Sequence, residues 1–486
     1  MERLLTIVLK VPPLKLFTRR QLDDIHNTTL ELLGRTGVVF NHPQALKALE
    51  EAGAYVDEKT QRVKFPSYLV EEAISKAPSR VSIHARNAEK TMRFEPGRVH
   101  FSPACTPIFT YDLDSGVKRP ATIKDFEDIT RLMDYLQRVD EGFGAVYPQD
   151  VSEKTVHAHM MLAQAKYTSK CVRGLPQGST VARDCINMMS MVAGGDEVLL
   201  RKPMLLCIVN SVSPLQWDTK NVGGALEYAN MNQPVALTPE IMAGATGPVT
   251  LAGTMVQHNA EVLSMLTLMQ LIHPGTPMLY GAASTITDMR TSMLRLGAPE
   301  AGLMHVGFAQ LAEKYNLPTR GVAGVSDSKT FDTQAGYETA FNLLLAVMAG
   351  FNFVTYALGS LDLSLSVSYE KIMTDHDLLG MVERLVNGVD VSDETMALDV
   401  IDEIGPGGHY LAHKHTRDYH AKEHFIPQLF DTQSYDSWTK AGAKPLRDKA
   451  REEVRKILRE HHPTILDNET EKKLEEYVAQ VERRPN

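Results

Sequence analysis

Apolar residues recur at helical spacing in RQLDDIHNTTLELLG (20–34), which closes on a glycine, and in SYLVEEAISKA (67–77), where Ser67 is the expected N-cap. The short β-like run RVSIHAR (80–86) follows. From residue 99 onward the pattern becomes a beat. Short apolar runs occur at VHFSPA (99–104), GFGAVY (142–147), CVRGLP (171–176) and MLLCIVNS (204–211), then at PVALTPEI (234–241), TPMLYGAA (276–283), TRGVAGVS (319–326) and FNFVTYALG (351–359). Their separation, roughly thirty to forty residues, is that of a strand followed by a crossover helix. The intervening stretches read as helices. TIKDFEDITRLMDYLQ opens on Thr122 as N-cap, and TQAGYETAFNLLLAVMAG is stopped by Gly350. Eight such units predict an α/β fold of the TIM (β/α)8 barrel type, not a doubly wound sheet.

The expected organisation is an α+β extension over 1–98, a catalytic barrel over 99–390 and a helical extension over 391–486 that packs near the barrel mouth. The charged segments AREEVRKILREHHPTILD and NETEKKLEEYVAQVERR near the C-terminus read as solvated helix faces.

Composition narrows the function. The net charge of −9 argues against bulk attraction to nucleic acid. No apolar run has the length of a membrane span. The opening MERLLTIVLKVPPLKLFTRR lacks a small-residue cleavage site and reads as part of the mature chain. Cys105, Cys171, Cys185 and Cys207 form no C-x-x-C pair, so free thiols in a reducing cytoplasm are expected. A homo-oligomer is one assembly the chain allows.

In a TIM barrel the active-site groups stand at the carboxyl ends of the strands. Those ends nominate Cys105 and Thr106; Tyr147 and Gln149; Arg173; Asn210 and Ser213; Thr238 and Glu240; Ser284; Ser326, Asp327 and Lys329; and Tyr356 and Ser360. There is no phosphate-binding G-x-x-x-x-G-K-[ST], no H-E-x-x-H and no evident G-x-S-x-G. The stretch HYLAHKHTRDYHAKEH (409–424) carries five histidines. His409 and His413, or His420 and His424, could share a helix face, but no cysteines support them at metal spacing, so no metal is expected.

Three segments carry a resemblance. GHYLAHKHTRDYHAKEHFIPQLFDTQSYDSW (408–438), SDSKTFDTQAGYE (326–338) and IHNTTLELLGRTGVVFNHPQALKALEEAGAYVD (25–57) are similar, in that order, to segments of the trimethylamine methyltransferase family. The resemblance implies a TIM barrel with terminal additions. It implies methyl transfer from a methylamine to the cobalt of a separate corrinoid protein, with no cofactor bound by this chain. Trimethylamine-specific members carry pyrrolysine, with the stretch after Asp327 as its expected place; this sequence is written in the ordinary twenty residues and so resembles the quaternary-amine demethylases. On that reading Tyr147 and Tyr356 supply aromatic faces to a cation, while Phe109 reads more as core packing. Glu240 faces the cation, Asp327 joins it as a catalytic candidate, and Asn210 contacts substrate. Arg173 offers a fork for a betaine carboxylate, its alternative being a structural ion pair. His409, His415 and His420 are expected on the rim, facing the corrinoid protein. Two other readings stay open. One is a barrel lyase or hydrolase using Glu240, Asp327 and Lys329; the other is a non-catalytic binder of quaternary ammonium solutes.

Overall fold

The computed structural model describes residues 7–484. The first six residues of the N-terminal run and the last two of the chain lie outside them. Seven of the eight apolar runs contain a strand of one sheet: β1 (Arg98–Phe101), β2 (Val172–Arg173), β3 (Leu205–Val209), β4 (Val235–Leu237), β5 (Met278–Ala282), β6 (Thr319–Val322) and β7 (Phe353–Thr355). Their order across the sheet is β1-β7-β6-β5-β4-β3-β2, with all neighbours parallel. The strand Ile7–Val8 pairs antiparallel with the start of β1. The fold is therefore α/β around a curled, mostly parallel eight-stranded sheet.

The run GFGAVY forms no strand, and its packing against distant residues goes with that. A side chain at Gly142 would strike Thr168, one at Gly144 would strike Phe126, and Ala145 takes a left-handed φ of 56°. The chain turns tightly there and does not extend. Just upstream it spans the two edges of the sheet. The Asp140 amide donates to the Phe101 carbonyl at 2.9 Å, and the Gly142 amide donates to the Cys171 carbonyl at 2.9 Å. Glu141 pairs with Cys171 in a parallel bridge.

Helices cover the outside, and their ends follow the sequence with one exception. Thr122 closes a capping box with Asp125 ahead of Ile123–Tyr135, and Gly350 takes φ 87° after Thr333–Met348. Ser67 is already the first residue of helix Ser67–Lys76; Pro66 holds the cap position and no side chain caps it. The two charged C-terminal helices, Leu446–Glu460 and Asn468–Glu482, each bury one apolar stripe. Ala450, Val454 and Ile457 pack in the first, and Leu474, Val478 and Val481 in the second. Arg484 then forks onto Asp184, with contacts of 2.6 and 2.7 Å, and pins the chain end to the helix Ser179–Ala193. Among the described residues no helix is long and apolar enough to cross a membrane.

The N-terminal extension is woven into the core. Its strands Val38–Phe40, Tyr55–Asp57 and Arg62–Lys64 take in Gln216–Trp217, which comes from the loop after β3. Glu261, on the helix Leu251–Ile272, holds the same loop by accepting from the Ser213 hydroxyl at 2.7 Å and the Leu215 amide at 2.8 Å.

Candidate active site

Residues paired side by side in a sheet point to the same face. Arg173 pairs with Leu206, Ile208 with Ala236, Ala236 with Leu279, Gly281 with Arg320, Arg320 with Phe353, and Phe353 with His100. Cys171, Leu206, Ala236, Leu279 and Phe353 form one apolar cluster with the hairpin Val81–Ile83 and Met92–Phe94. This face is therefore the inside of the curl, and the hairpin is its floor. Arg173 and Arg320 stand on that inner face.

On one wall Arg173 and Glu141 form a buried pair. The guanidinium Nε donates to Glu141 Oε1 at 3.1 Å, Nη2 donates to Glu141 Oε2, and Nη2 also donates to the Ser102 hydroxyl at 2.8 Å. Phe143 lies 4.8 Å beneath the guanidinium. Burial alone would lower the Arg173 pKa, but neighbouring Cys105 and the Glu141 carboxylate outweigh it and the group is held more firmly protonated than usual.

On the other wall Arg320 is 3% exposed and its Nε has no hydrogen-bond partner. Burial lowers its pKa, with Cys105, Tyr356 and Glu240 opposing and Arg173 adding to the shift. Nearer the carboxyl ends, Glu240 keeps solvent contact on its side chain but is set deep enough among protein atoms that desolvation raises its carboxyl pKa, against the pull of Arg320. Tyr356 adopts a left-handed φ of 59°, a conformation that costs a bulky residue on the order of 1–3 kcal/mol. Its hydroxyl lies 2.7 Å from that of Thr106, and burial, with Cys105 next, pushes its pKa up.

Of the residues nominated from the sequence, Cys105, Thr106, Arg173, Glu240 and Tyr356 thus converge. Tyr147 is partly buried in the turn after Glu141, with its pKa raised by desolvation, and Asn210 begins the loop held by Glu261. Asp327 faces elsewhere. It accepts from the Gly297 amide at 3.0 Å and lies 3.5 Å from Arg295, and burial raises its pKa. Lys329 turns back on the Asp327 carbonyl at 2.7 Å. Glu338 ties down the same loop through the Ser326 hydroxyl at 2.7 Å and the Asp327 amide at 2.8 Å. The Phe109 ring is covered by the Lys118 ammonium at 4.4 Å.

The histidine stretch is not at the mouth, where it was expected. It forms the exposed helix Lys414–Glu423, capped by the His413 ring, which accepts from the His415 amide at 3.1 Å. His415 stacks on Tyr419 at 4.6 Å, and His409 and His420 point to solvent. Glu423 pairs with Arg384 at 3.1 Å. Two residues on, the Val386 carbonyl accepts from Lys10, and the Leu9 amide donates to Gly97, which precedes β1. These contacts put the stretch at the amino ends of the strands, opposite Glu240 and Tyr356. Among the described residues no group of three or more His, Cys, Asp or Glu is disposed for a metal. The amino end also carries a cleft of about 430 Å³ lined by Leu9, Val11, Pro13 and Asn352. It lies outside the inner face on which the charged groups converge.

Two members of the inner wall, Glu141 and Arg320, escaped the strand-end reading because both lie within or before their runs. A charge inside an otherwise apolar strand was the available signal.

Comparison with known proteins bears on this arrangement. The profile of the trimethylamine methyltransferase family (MTTB) matches residues 1–485. The chain belongs to that family. It is 36% identical to the glycine betaine methyltransferase of Desulfitobacterium hafniense (strain Y51), over 97% of this chain and 98% of that one. It is 33% identical to the trimethylamine methyltransferase MttB of Methanosarcina barkeri, over 97% and 96%. The monomethylamine methyltransferase structure from Methanosarcina barkeri aligns at 13% identity and a TM-score of 0.49, over 93% of this chain and 95% of that one. Family membership makes this chain an enzyme of the methylamine and quaternary-amine methyltransferases, whose acceptor is a separate corrinoid protein.

Proposed function

We propose that the enzyme moves a methyl group from a betaine-type quaternary amine, such as glycine betaine, proline betaine or carnitine, to cobalt(I) of its corrinoid partner. The observation that carries this reading is the pairing, at the carboxyl ends of the strands, of an anionic and aromatic set (Glu240, Tyr356) with a buried cationic wall (Arg173, Arg320). A zwitterion with an ammonium head and an anionic tail matches it. The resemblance to a glycine betaine methyltransferase along nearly the whole chain supports the same reading.

The chemistry asks little of the chain beyond placement. Cobalt(I) attacks the methyl carbon, the carbon–nitrogen bond breaks, and its electron pair leaves with a neutral tertiary amine, so no proton has to be delivered. Holding the methyl in line with cobalt is worth up to about 7–11 kcal/mol in an ideal geometry. Tyr356 and Tyr147 supply aromatic faces, each worth roughly 0.5–2 kcal/mol toward a cation. Glu240 faces the ammonium, and Asn210 contacts substrate from the loop after β3. Asp327 acts through the loop it fixes. The hydrogen bonds of residues 140–142 act as the eighth stave, so that the sheet closes as a (β/α)8 barrel over residues 99–390. The corrinoid partner docks over the carboxyl end, where the methyl group emerges.

The test is to mix the protein with a reduced corrinoid protein and a panel of donors while recording the cobalt spectrum. Methyl-cobalt formation from glycine betaine, proline betaine or carnitine is the expected result. Robust methylation from trimethylamine and none from the betaines would overturn the quaternary assignment. Turnover without any corrinoid would replace it with lyase or hydrolase chemistry.

A further inference from the structure

The two arginines of the inner wall are not equivalent. Arg173 has Glu141 as its counter-ion, with Nε and Nη2 donating to Glu141 and Ser102 and only its buried Nη1 left without a partner. Arg320 forms neither a hydrogen bond nor an ion pair among the described residues, although it is 3% exposed and its Nε is sealed from solvent. A second orphan lies beside it. The Thr238 hydroxyl is fully buried without a partner. Thr238 follows Leu237, which pairs with Tyr280, so it stands level with Gly281, the neighbour of Arg320. Gly281 carries no side chain, and one built there would meet the Thr238 hydroxyl at 2.1 Å. A guanidinium and a hydroxyl, both donors, therefore share one stretch of inner wall with no side chain between them. Leaving such groups unanswered in a protein interior is costly, and a buried cation without a counter-ion is a mark of a binding site.

We infer that Arg320, with the Thr238 hydroxyl beside it, anchors the carboxylate of the methyl donor, and that Arg173 serves only to hold the wall. This rests on the quaternary-amine reading above and adds the orientation of the substrate. Glu240 lies two residues beyond Thr238 in the segment that leaves β4 at its carboxyl end, a reach of at most about 7 Å for extended chain. A carboxylate on Arg320 therefore points the ammonium at Glu240 and Tyr356 and turns a methyl toward the mouth. Glu240 and Arg320 each shift the other's titration, so the two charges lie within electrostatic reach of one another. The same arrangement makes the enzyme select methylated amino acids over choline, which has a hydroxyl where the betaine has its carboxylate.

The experiment compares wild type, Arg320→Met, Arg320→Lys and Thr238→Val. Glycine betaine binding is measured by calorimetry without the partner, and kcat and KM for glycine betaine and choline are measured with it. Arg320→Met is expected to raise Kd and KM for glycine betaine about 10- to 100-fold, the worth of a charge-assisted hydrogen bond or two, with choline unchanged. Arg320→Lys should lie between, since it keeps the charge and loses the fork, so the proposal stays testable if the methionine variant does not fold. Thr238→Val should cost glycine betaine several-fold and choline nothing. Glycine betaine KM within threefold of wild type in both Arg320 variants would overturn the inference and leave the methyl-transfer reading intact. Equal losses for betaine and choline would overturn it as well, by showing a role in folding only. No methyl-cobalt from any quaternary donor with wild type would overturn both.

Discussion

Two walls of one interior carry an arginine each, and they solve the problem of a buried charge in opposite ways. On the Arg173 wall the cation is matched by Glu141, a hydroxyl and an aromatic face. On the Arg320 wall the charge has no hydrogen bond or ion pair among the described residues, beside a glycine whose missing side chain leaves room for the Thr238 hydroxyl. The first is a structural ion pair, with a single buried nitrogen, Nη1, left over. The second is stability given up at a place where a ligand can restore it. Burial of an arginine thus says little about its role until its partners are counted.

The largest expected effect tests that contrast directly. Arg173→Met strands the Glu141 carboxylate, and removing one member of a buried pair typically costs about 3–5 kcal/mol. Arg320→Met strands nothing and removes an unpaired buried charge, so stability should hold or rise. Urea midpoints of the two variants measured side by side decide it. A similar loss in both would mean that Arg320 has a structural partner after all, and the comparison would fall.

Next in size is the aromatic face. Tyr356→Leu keeps an apolar side chain but removes the π face, and should raise KM for a quaternary donor by about 2- to 30-fold, the equivalent of 0.5–2 kcal/mol. Tyr356→Phe keeps the face and loses the 2.7 Å contact with Thr106. It should leave KM within about twofold while costing roughly 0.5–1.5 kcal/mol of stability. A KM that follows the hydroxyl instead of the ring would move Tyr356 from the cation to the scaffold.

Glu240 sharpens the comparison through pH. Desolvation raises its carboxyl pKa in the folded state, so the folded enzyme holds this proton more tightly than the unfolded chain does. The sign follows: its contribution favours the fold at low pH and is lost as pH rises from the ordinary carboxylate range through the raised value. Activity should run the other way, since only the carboxylate attracts the ammonium. The kcat/KM for glycine betaine should fall on the acid side of that raised value, and Glu240→Gln should lower the plateau and abolish the limb. A limb that persists in the variant would assign the titration to Asp327, whose carboxyl is also raised by burial.

The beat of apolar runs was a good guide to β1 through β7, because strands buried on both faces leave continuous apolar stretches. It failed at GFGAVY, where the glycines answer to Thr168 and Phe126 across the fold, a contact that no local pattern records. The strand-end rule nominated Glu240 and Tyr356 but passed over Arg320, because it counts residues after a strand, and Arg320 lies within β6, two residues short of its end. Arg173 came with both of its readings, and the choice between them waited on Glu141, a partner 32 positions earlier in the chain. The histidine stretch misled for a similar reason. Its composition suggested chemistry, but its position depends on Glu423 meeting Arg384 and on the N-terminal strand meeting β1, and both are long-range contacts.

The smallest expected effect concerns that stretch. His420 is exposed on the helix Lys414–Glu423, with its ring edge-on to His424 at 5.0 Å, at the amino ends of the strands. On the proposed geometry the methyl group emerges at the other end, so a corrinoid protein docked there for transfer does not reach it. His420→Ala should leave KM for glycine betaine, the partner concentration giving half-maximal rate, and kcat all within about twofold. An exposed substitution of this kind usually changes stability by no more than about 0.5 kcal/mol. His415→Ala should cost somewhat more stability, because it loses the stack on Tyr419, with kinetics equally flat. A rise in the half-saturating partner concentration for either variant, without a change in the amine KM, would put the docking surface at this end of the molecule. The carboxyl end, with Glu240 and Tyr356, would then no longer mark the side from which cobalt approaches.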